Sequence, residues 1–498
     1  SNNGLSTLTP KATIAAGYAL LRNGYPDWLL LKRGDVWESD VPTGKRGRSA
    51  EEMLVYGAYG EGLRPRILRS SGSAIYIGNG NPGNIAVTNL HFDAGPAGNS
   101  STGILILAQN GTDMHNILIE DCYLERFKDN FNVQGAVGGS QRIYNLTIRR
   151  CIVVDAFPPG SAHSQGAFIN NVDGLLIEEC VFDHNGWRNS DRSDATIFNH
   201  NLYISSGNSP NTIVRRNIIA RASSHGLQLR CGGQIEDNLF VLNPLAAQLG
   251  GGDPSPNSHT NGVSGTMIGN VVLYGTDINP GAQRGMGLLC YNVGLAGATI
   301  RDNIIAHNVS STSTNDIPVY LWTDSYGCGV GNHNVEISQN IVFNWRGPLT
   351  VNPPVATAPS PSTFTGISGV VVQDNLLHDS TNSRVVEIGF GSSPNQIALR
   401  RNRYWSTLPE SQILRHNSIT MGLSQWSSST GDQSSAVGPA EFSDPDRSLG
   451  DYNQSIGGLG TVEAFLQGAR SQRKGSWQPS YTAAAAIEYI KSGFEPRP

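Results

Sequence analysis

Along most of the chain, apolar residues alternate with polar ones in short runs, and each run stops at a turn of charged, amide or glycine residues. Within this alternation one pattern recurs: alternating apolar positions, two polar residues, then Asn or Cys followed by two apolar residues. It reads ILIEDCYL, LTIRRCIV, LLIEECVF, TIVRRNII, GQIEDNLF, TMIGNVVL, ATIRDNII, VEISQNIV, VVVQDNLL and IALRRNRY, with IAVTNLHF as an earlier, degenerate copy. The aligned slot holds Cys122, Cys151, Cys180, Asn217, Asn238, Asn303, Asn340, Asn375 and Asn402, at spacings of 21 to 37 residues except for the 65 between Asn238 and Asn303. Period-2 runs this short predict strands, and none could bury a face alone. Stacked as coils, they bury a continuous apolar column, with the Asn residues forming a hydrogen-bonded ladder. Three cysteines in the same slot read as small buried side chains, since no CxxC or Cys/His spacing suggests zinc.

This repeat resembles the right-handed parallel β-helix of the pectate-lyase-like superfamily, over roughly residues 60–405. The fold class it implies is an all-β, single-stranded right-handed parallel β-helix solenoid with an N-terminal capping helix and C-terminal helices. Residues 1–59 are expected to form a cap helix and opening strands. The helix is placed after Thr9-Pro10, with Thr9 as N-cap and Gly24 as its stop. Residues 60–405 make the β-helix, and 406–498 a C-terminal extension. In that extension, 461–473 and 480–494 predict two amphipathic helices lying against the last coils. The Pro-rich 347–364 and Ser-rich 424–436 segments are expected to be loops.

Composition narrows the function. Charged residues are only 15% of the chain, the net charge is −5, and no basic run occurs, so nucleic acid is excluded as a partner. No stretch reaches the roughly 18 apolar residues of a membrane span. The chain opens on Ser1-Asn2-Asn3 and is expected to be a mature, secreted or periplasmic monomer.

Because stacked coils put equivalent residues in columns, the strands DNFNVQG, QGAFINN, HNLYISS, HGLQLRC and RGMGLLC can be aligned. Phe131, Ala167, Leu202, Leu227 and Met286 then share the inward parity, and Asn132, Phe168, Tyr203 and Gln228 point out. Gln134, Asn170, Ser205 and Arg230 form a second outward column. Asp129, Gln165, His200, His225 and Arg284 stand at the preceding turn. A face of His, Tyr, Asn, Gln and Arg suits gripping sugars and moving protons better than a merely solvated surface does.

Glycoside hydrolysis usually needs two carboxylates. Here only Asp129 stands on the face, with Asp191, Asp194, Asp253, Asp316 and Asp324 in loops. Uronate β-elimination needs a neutraliser for the substrate carboxylate, a base for the adjacent carbon acid, and an acid for the leaving oxygen. The expected assignment is Arg230 and Gln228 as neutralisers, His200 or His225 as base, and Tyr203 as acid. Asp129, Asn132, Gln134, Gln165, Asn170, Asn201, Asp194 and Arg284 are expected to bind substrate.

The superfamily resemblance implies a carbohydrate-active enzyme acting on an anionic polysaccharide, and a lyase is the leading expectation. A glycoside hydrolase, a uronate epimerase and a non-catalytic glycan-binding helix are the alternatives. The scattered aromatics Tyr203, Tyr291, Tyr320, Trp322 and Trp345 speak mildly against the last of these. The polygalacturonase pattern is absent, and Phe182-Asp183-His184-Asn185 only faintly echoes the epimerase signature. No metal site is expected, although calcium stays open as a cofactor, as in several lyases of the superfamily that pair it with a catalytic Lys or Arg. Lys128 is the one lysine of the repeat region. His163, His184 and His259 are expected to flank the strand column in loops.

Overall fold

Three long parallel sheets wind together in the computed structural model, which describes residues 2–78, 80–136, 140–158, 160, 162–251, 261–308, 315–322, 331–352, 366–389 and 396–495. The first sheet has 13 strands, from Trp28–Lys32 to Ile397–Arg400. The second has 14, from Val36–Trp37 to Ala436–Val437, and the third 13, from Ile75–Ile77 to Ile419–Met421. Successive strands of one sheet lie one coil apart in sequence, which is the parallel β-helix that the repeat predicts. Inside the coil, Ile117, Ile119, Leu124, Phe131 and Val133 and their equivalents in neighbouring coils form one continuous apolar column.

The recurrent turn has a backbone cause. The residue before each Asn or Cys slot has a positive φ, as in Asp121, Arg150, Glu179, Arg216, Asp237, Asp302, Gln339, Asp374 and Arg401. The left-handed conformation costs an L-residue about 1–2 kcal/mol, and the ladder behind it offsets that cost. Each Asn Oδ1 accepts the backbone N–H of the slot residue one coil earlier. The distances are 3.0 Å for Asn217 to Asn238, 3.0 Å for Asn238 to Asn270, 2.9 Å for Asn270 to Asn303 and 3.2 Å for Asn303 to Asn340. Asn270 fills the gap in the series. Cys180 N donates to Asn217 Oδ1 at 2.9 Å, and Cys151 N to Cys180 Sγ at 3.4 Å, so the thiols continue the stack. The five described cysteines are unbridged.

The ends depart from the predicted detail. Helix α1 spans only Ile14–Tyr18, and its N-cap is Thr13, whose Oγ1 accepts from Ala16 N at 3.1 Å. Thr9 is instead tied into a local turn by its hydroxyl, which donates to Asn3 Oδ1 at 2.7 Å. The Ser-rich tract is no loop at its start: Leu423–Thr430 forms α2. There Trp426 is fully buried, and its Nε1 and the Tyr404 hydroxyl both donate to Asp432 Oδ2 at 2.9 Å. An antiparallel strand, Ile419–Met421, pairs with Leu414–His416 and ends the third sheet, giving the solenoid a stopped edge.

Helices α3 (Leu449–Ser455), α4 (Val462–Arg470) and α5 (Ala483–Gly493) follow. The last two match the predicted segments, but they do not sit on the last coils. Phe465, Leu466, Ala486, Ile487 and Ile490 pack on Ile152, Val181, Ile218, Leu239, Val271 and Ile304, along the outer face of the second sheet. This is why second-sheet strands such as Ile152–Val154 and Leu239–Val241 are apolar at every position and buried throughout.

Candidate functional site

Among the described residues, no helix covers the outer face of the third sheet in this way. Its register puts Asp129, Gln165 and His200 in one column, and His225 continues it one coil on, because Leu202 pairs with Leu227. Asn132, Phe168, Tyr203, Gln228 and Gln248 form the next column.

His200 is almost completely buried, and its Nδ1 lies 2.8 Å from Gln165 Oε1. The same oxygen accepts His200 N–H at 2.9 Å, while Gln165 Nε2 donates to Phe198 O at 2.9 Å. The amide orientation therefore makes Nδ1 the protonated nitrogen and leaves Nε2 as an acceptor. His225 takes the opposite tautomer. Its Nε2 lies 3.0 Å from Gln248 Oε1, and Gln248 Nε2 donates to Gly250 O at 2.9 Å. The two imidazoles are 5.0 Å apart between ring centres. Burial, then the neighbouring His225 and Arg230, hold His200 well below the usual imidazole value. Burial likewise brings His225 down to about 3, although its bond to Gln248 opposes the shift. Both rings are neutral at neutral pH.

Tyr203 stands beside them, its ring centre 5.1 Å from that of His200 and 5.2 Å from that of Phe168. The Arg230 guanidinium carbon lies 5.0 Å from the Tyr203 ring centre. Arg230 Nε and Gln228 Oε1 are buried without a hydrogen-bond partner among the described residues. On the opposite flank, Gln134 Nε2 donates to Asn132 Oδ1 at 2.7 Å, and Asn132 leads to Asp129. Burial raises the Asp129 carboxyl above its usual range, against the pull of Lys128 at 3.4 Å and the Gln165 N–H.

Several expected members lie elsewhere. Asn201 is fully buried inside the coil corner, where it accepts from Asn185 Nδ2 at 2.8 Å and donates to Ala220 O at 2.7 Å. It cannot reach substrate. Asp194 closes its own loop, accepting from the backbone N–H of Arg188 and Asn189 at 2.8 and 3.0 Å. Asp191 is exposed and Asp316 buried, while Asp253, Asp324 and His259 lie outside the described residues. His184 pairs with Asp155 at 2.9 Å. His163 does lie beside this face, close enough to act on His200, and stacks on the exposed Phe198 at 5.2 Å between ring centres.

The alignment also omits a coil. Leu245–Gly250 stacks on His225–Leu229, with Gln248 beside Gln228. In the next strand Leu245 pairs with Met286, and Ala247 with Leu288. Met286 thus stands in the column of His225, not in the inward column of Leu227, and Arg284 lies two residues before it, just ahead of the strand that begins at Gly285. The omission has a physical cause. Leu245, Met286 and Leu289 are outward apolar residues covered by Trp187, Ala195 and Ile278 of two loops, so polar and apolar positions no longer alternate. Gln248 was accessible from sequence through its 20-residue offset from Gln228 within LAAQLGG.

One group of possible metal ligands, His91, Asp93 and Glu125, lies on the second sheet. Arg66 and Arg126 already pair with its carboxylates, Arg126 reaching Asp93 at 2.7 Å and Glu125 at 2.9 Å. It reads as an ion-pair cluster. No helix among the described residues is long and apolar enough to cross a membrane.

No family model and no curated protein matches the chain. Solved structures similar to it include the GH136 lacto-N-biosidase of Eubacterium ramulus, at 14% identity and TM-score 0.36, covering 88% of this chain and 65% of that one. The A-module of mannuronan C-5 epimerase AlgE4 from Azotobacter vinelandii is 13% identical at TM-score 0.37, covering 88% and 98%. A mannuronic acid specific polysaccharide family 6 lyase from human gut microbiota is 10% identical at TM-score 0.38, covering 95% of each chain. The chain spans about two thirds of the lacto-N-biosidase. At these scores the β-helix assignment rests on the strand pairing itself, and the chemistry of the groove on its own residues.

Proposed function

We propose that this chain is a carbohydrate-active enzyme that cleaves a uronate-containing polysaccharide by β-elimination along the outer face of the third sheet, as a secreted or periplasmic monomer. The observation that carries this reading is the neutral His200, its Nε2 kept free by Gln165, beside Tyr203 and Arg230. A carbon acid next to a carboxylate becomes removable once that carboxylate is paired with a cation and hydrogen-bond donors. Arg230 supplies the cation, and Gln228 the amide donors. His200 Nε2 takes the C5 proton, the electron pair forms the C4–C5 double bond, and the C4–O bond breaks. Tyr203 delivers its proton to the departing oxygen, and water restores both groups.

Hydrolysis is the weaker reading. It needs a second carboxylate opposite Asp129, and the described outward positions from Phe127–Gln134 to His225–Leu229 hold none. The test is ultraviolet absorbance of the conjugated uronate during incubation with alginate, polygalacturonate and neutral polysaccharides, with calcium or with EDTA. A rise on one uronate polymer, lost in His200→Ala, supports elimination. New reducing ends without that absorbance overturn it.

A further inference from the structure

Beyond His225 the groove changes character. Gly285–Tyr291 and Asp316–Trp322 are the next strands after Leu245–Gly250, and their register pairs Leu289 with Tyr320 and Tyr291 with Trp322. Three aromatics that look scattered in sequence therefore share one face. Tyr320 and Trp322 stack nearly parallel, 6° apart in plane and 5.7 Å between centres, and Tyr291 meets Trp322 at 5.2 Å. Trp345, by contrast, is buried and donates to Gly285 O at 2.7 Å.

Their position in the columns matters more than their proximity. Tyr291 and Trp322 continue the line of Gln134, Asn170 and Arg230, after Gly250, which contributes no side chain. Tyr320 is 8% exposed and clusters with Ile278, Met286 and Leu289, so it is a rigid backing, whereas Trp322 is 38% exposed. A large apolar ring held rigidly at the surface, in line with a polar groove, marks a binding surface. We infer that Trp322 and Tyr291, backed by Tyr320, form a stacking subsite for the apolar face of a pyranose ring, at the end of the substrate chain beyond Arg230.

Each coil advances about 4.8 Å, close to the length of one sugar in an extended polysaccharide. Tyr291 is two strands and Trp322 three strands past Arg230, so the platform meets a sugar two to three units from the one whose carboxylate Arg230 holds. Short oligomers cannot occupy both places. The platform thus makes affinity depend on chain length, and makes the groove directional.

This inference rests on the carbohydrate reading but not on elimination, and binding separates the two. The experiment is calorimetric titration of Tyr203→Phe, and of its Trp322→Ala and Trp322→Phe derivatives, with oligomannuronates and oligogalacturonates of two and six residues. The expected result is hexamer affinity at least tenfold weaker in Trp322→Ala, largely kept in Trp322→Phe, with dimer affinity unchanged. An indole fluorescence shift on hexamer binding should vanish in Trp322→Ala. Hexamer affinity within twofold of the parent, equal losses for dimer and hexamer, or no binding of either series by the parent would overturn the platform. Length-dependent binding without any ultraviolet signal would sink elimination and leave the platform standing. An ultraviolet signal with hexamer binding untouched would do the reverse.

Discussion

The second and third sheets are built from the same repeat, yet their outer faces have opposite fates. On the second sheet the outward residues from Ile152–Val154 to Ile304–Ala306 are mostly Val, Ile, Leu and Ala, and α3 to α5 cover them. Charges at its margin are locked in pairs. Arg470 bridges Asp155 at 3.1 Å and Asp183 at 2.6 Å, and Arg221 also pairs with Asp183. Burial would raise the Asp183 carboxyl, but Arg470 and Arg221 outweigh it and hold it low. On the third sheet the buried polar atoms of Gln228 and Arg230 are unmatched, and two neutral histidines face each other. Unmatched buried polar atoms occur on the second sheet as well, as at Arg66 Nε and His378 Nδ1, so the faces differ in their cover and in their paired charges.

Substitutions should separate the two faces. The largest effect belongs to Tyr203→Phe, which should cost about 10²–10⁴ in kcat by removing the general acid, with unchanged thermal unfolding. Steady-state kinetics and calorimetry check this together. Arg470→Met should do the opposite, costing about 3 kcal/mol in denaturant unfolding because it strands buried carboxylates, while kcat of the folded fraction stays intact.

Acid should also distinguish the faces. Asp155 and Asp183 sit below their ordinary value in the folded chain. Their contribution to stability is therefore complete above about pH 4 and fades as the pH falls below it. That acid loss should be shallower in Arg470→Met. His225 behaves differently: depressed to about 3 when folded, it favours folding fully above about pH 6.5 and loses that contribution progressively as the pH falls toward 3. In the groove, the lowered His200 places the acid limb of kcat/KM well below 6.5. A limb near 6.5 would mean that the base is an ordinary solvated histidine, or another group. The smallest effect is expected for Gln248→Leu. It should cost about tenfold in kcat/KM, roughly 1.4 kcal/mol, through loss of the His225 tautomer, and a changed histidine ¹⁵N spectrum would confirm that route.

How much of this was legible in the sequence differs between the faces too. The slot residues spelled out the coils, because one Asn or Cys per turn must stack for its amide or thiol to be satisfied. The outward column from Asn132 to Gln228 followed from strand parity. What escaped was set by packing across long sequence separations. The outward Leu245 and Met286 broke the alternation because remote loops cover them. The partner face of α4 and α5 was invisible, because their helical period says which residues are apolar but not which sheet they meet. Asn201 looked like a groove residue beside His200, yet the corner of the coil turns it inward.

Proton NMR of the digest in deuterium oxide tests the central claim most directly. The account predicts unsaturated uronate at the new non-reducing ends, formed by wild type and not by His200→Ala. Saturated new ends, or an intact polymer carrying deuterium and inverted configuration at C5, would contradict it.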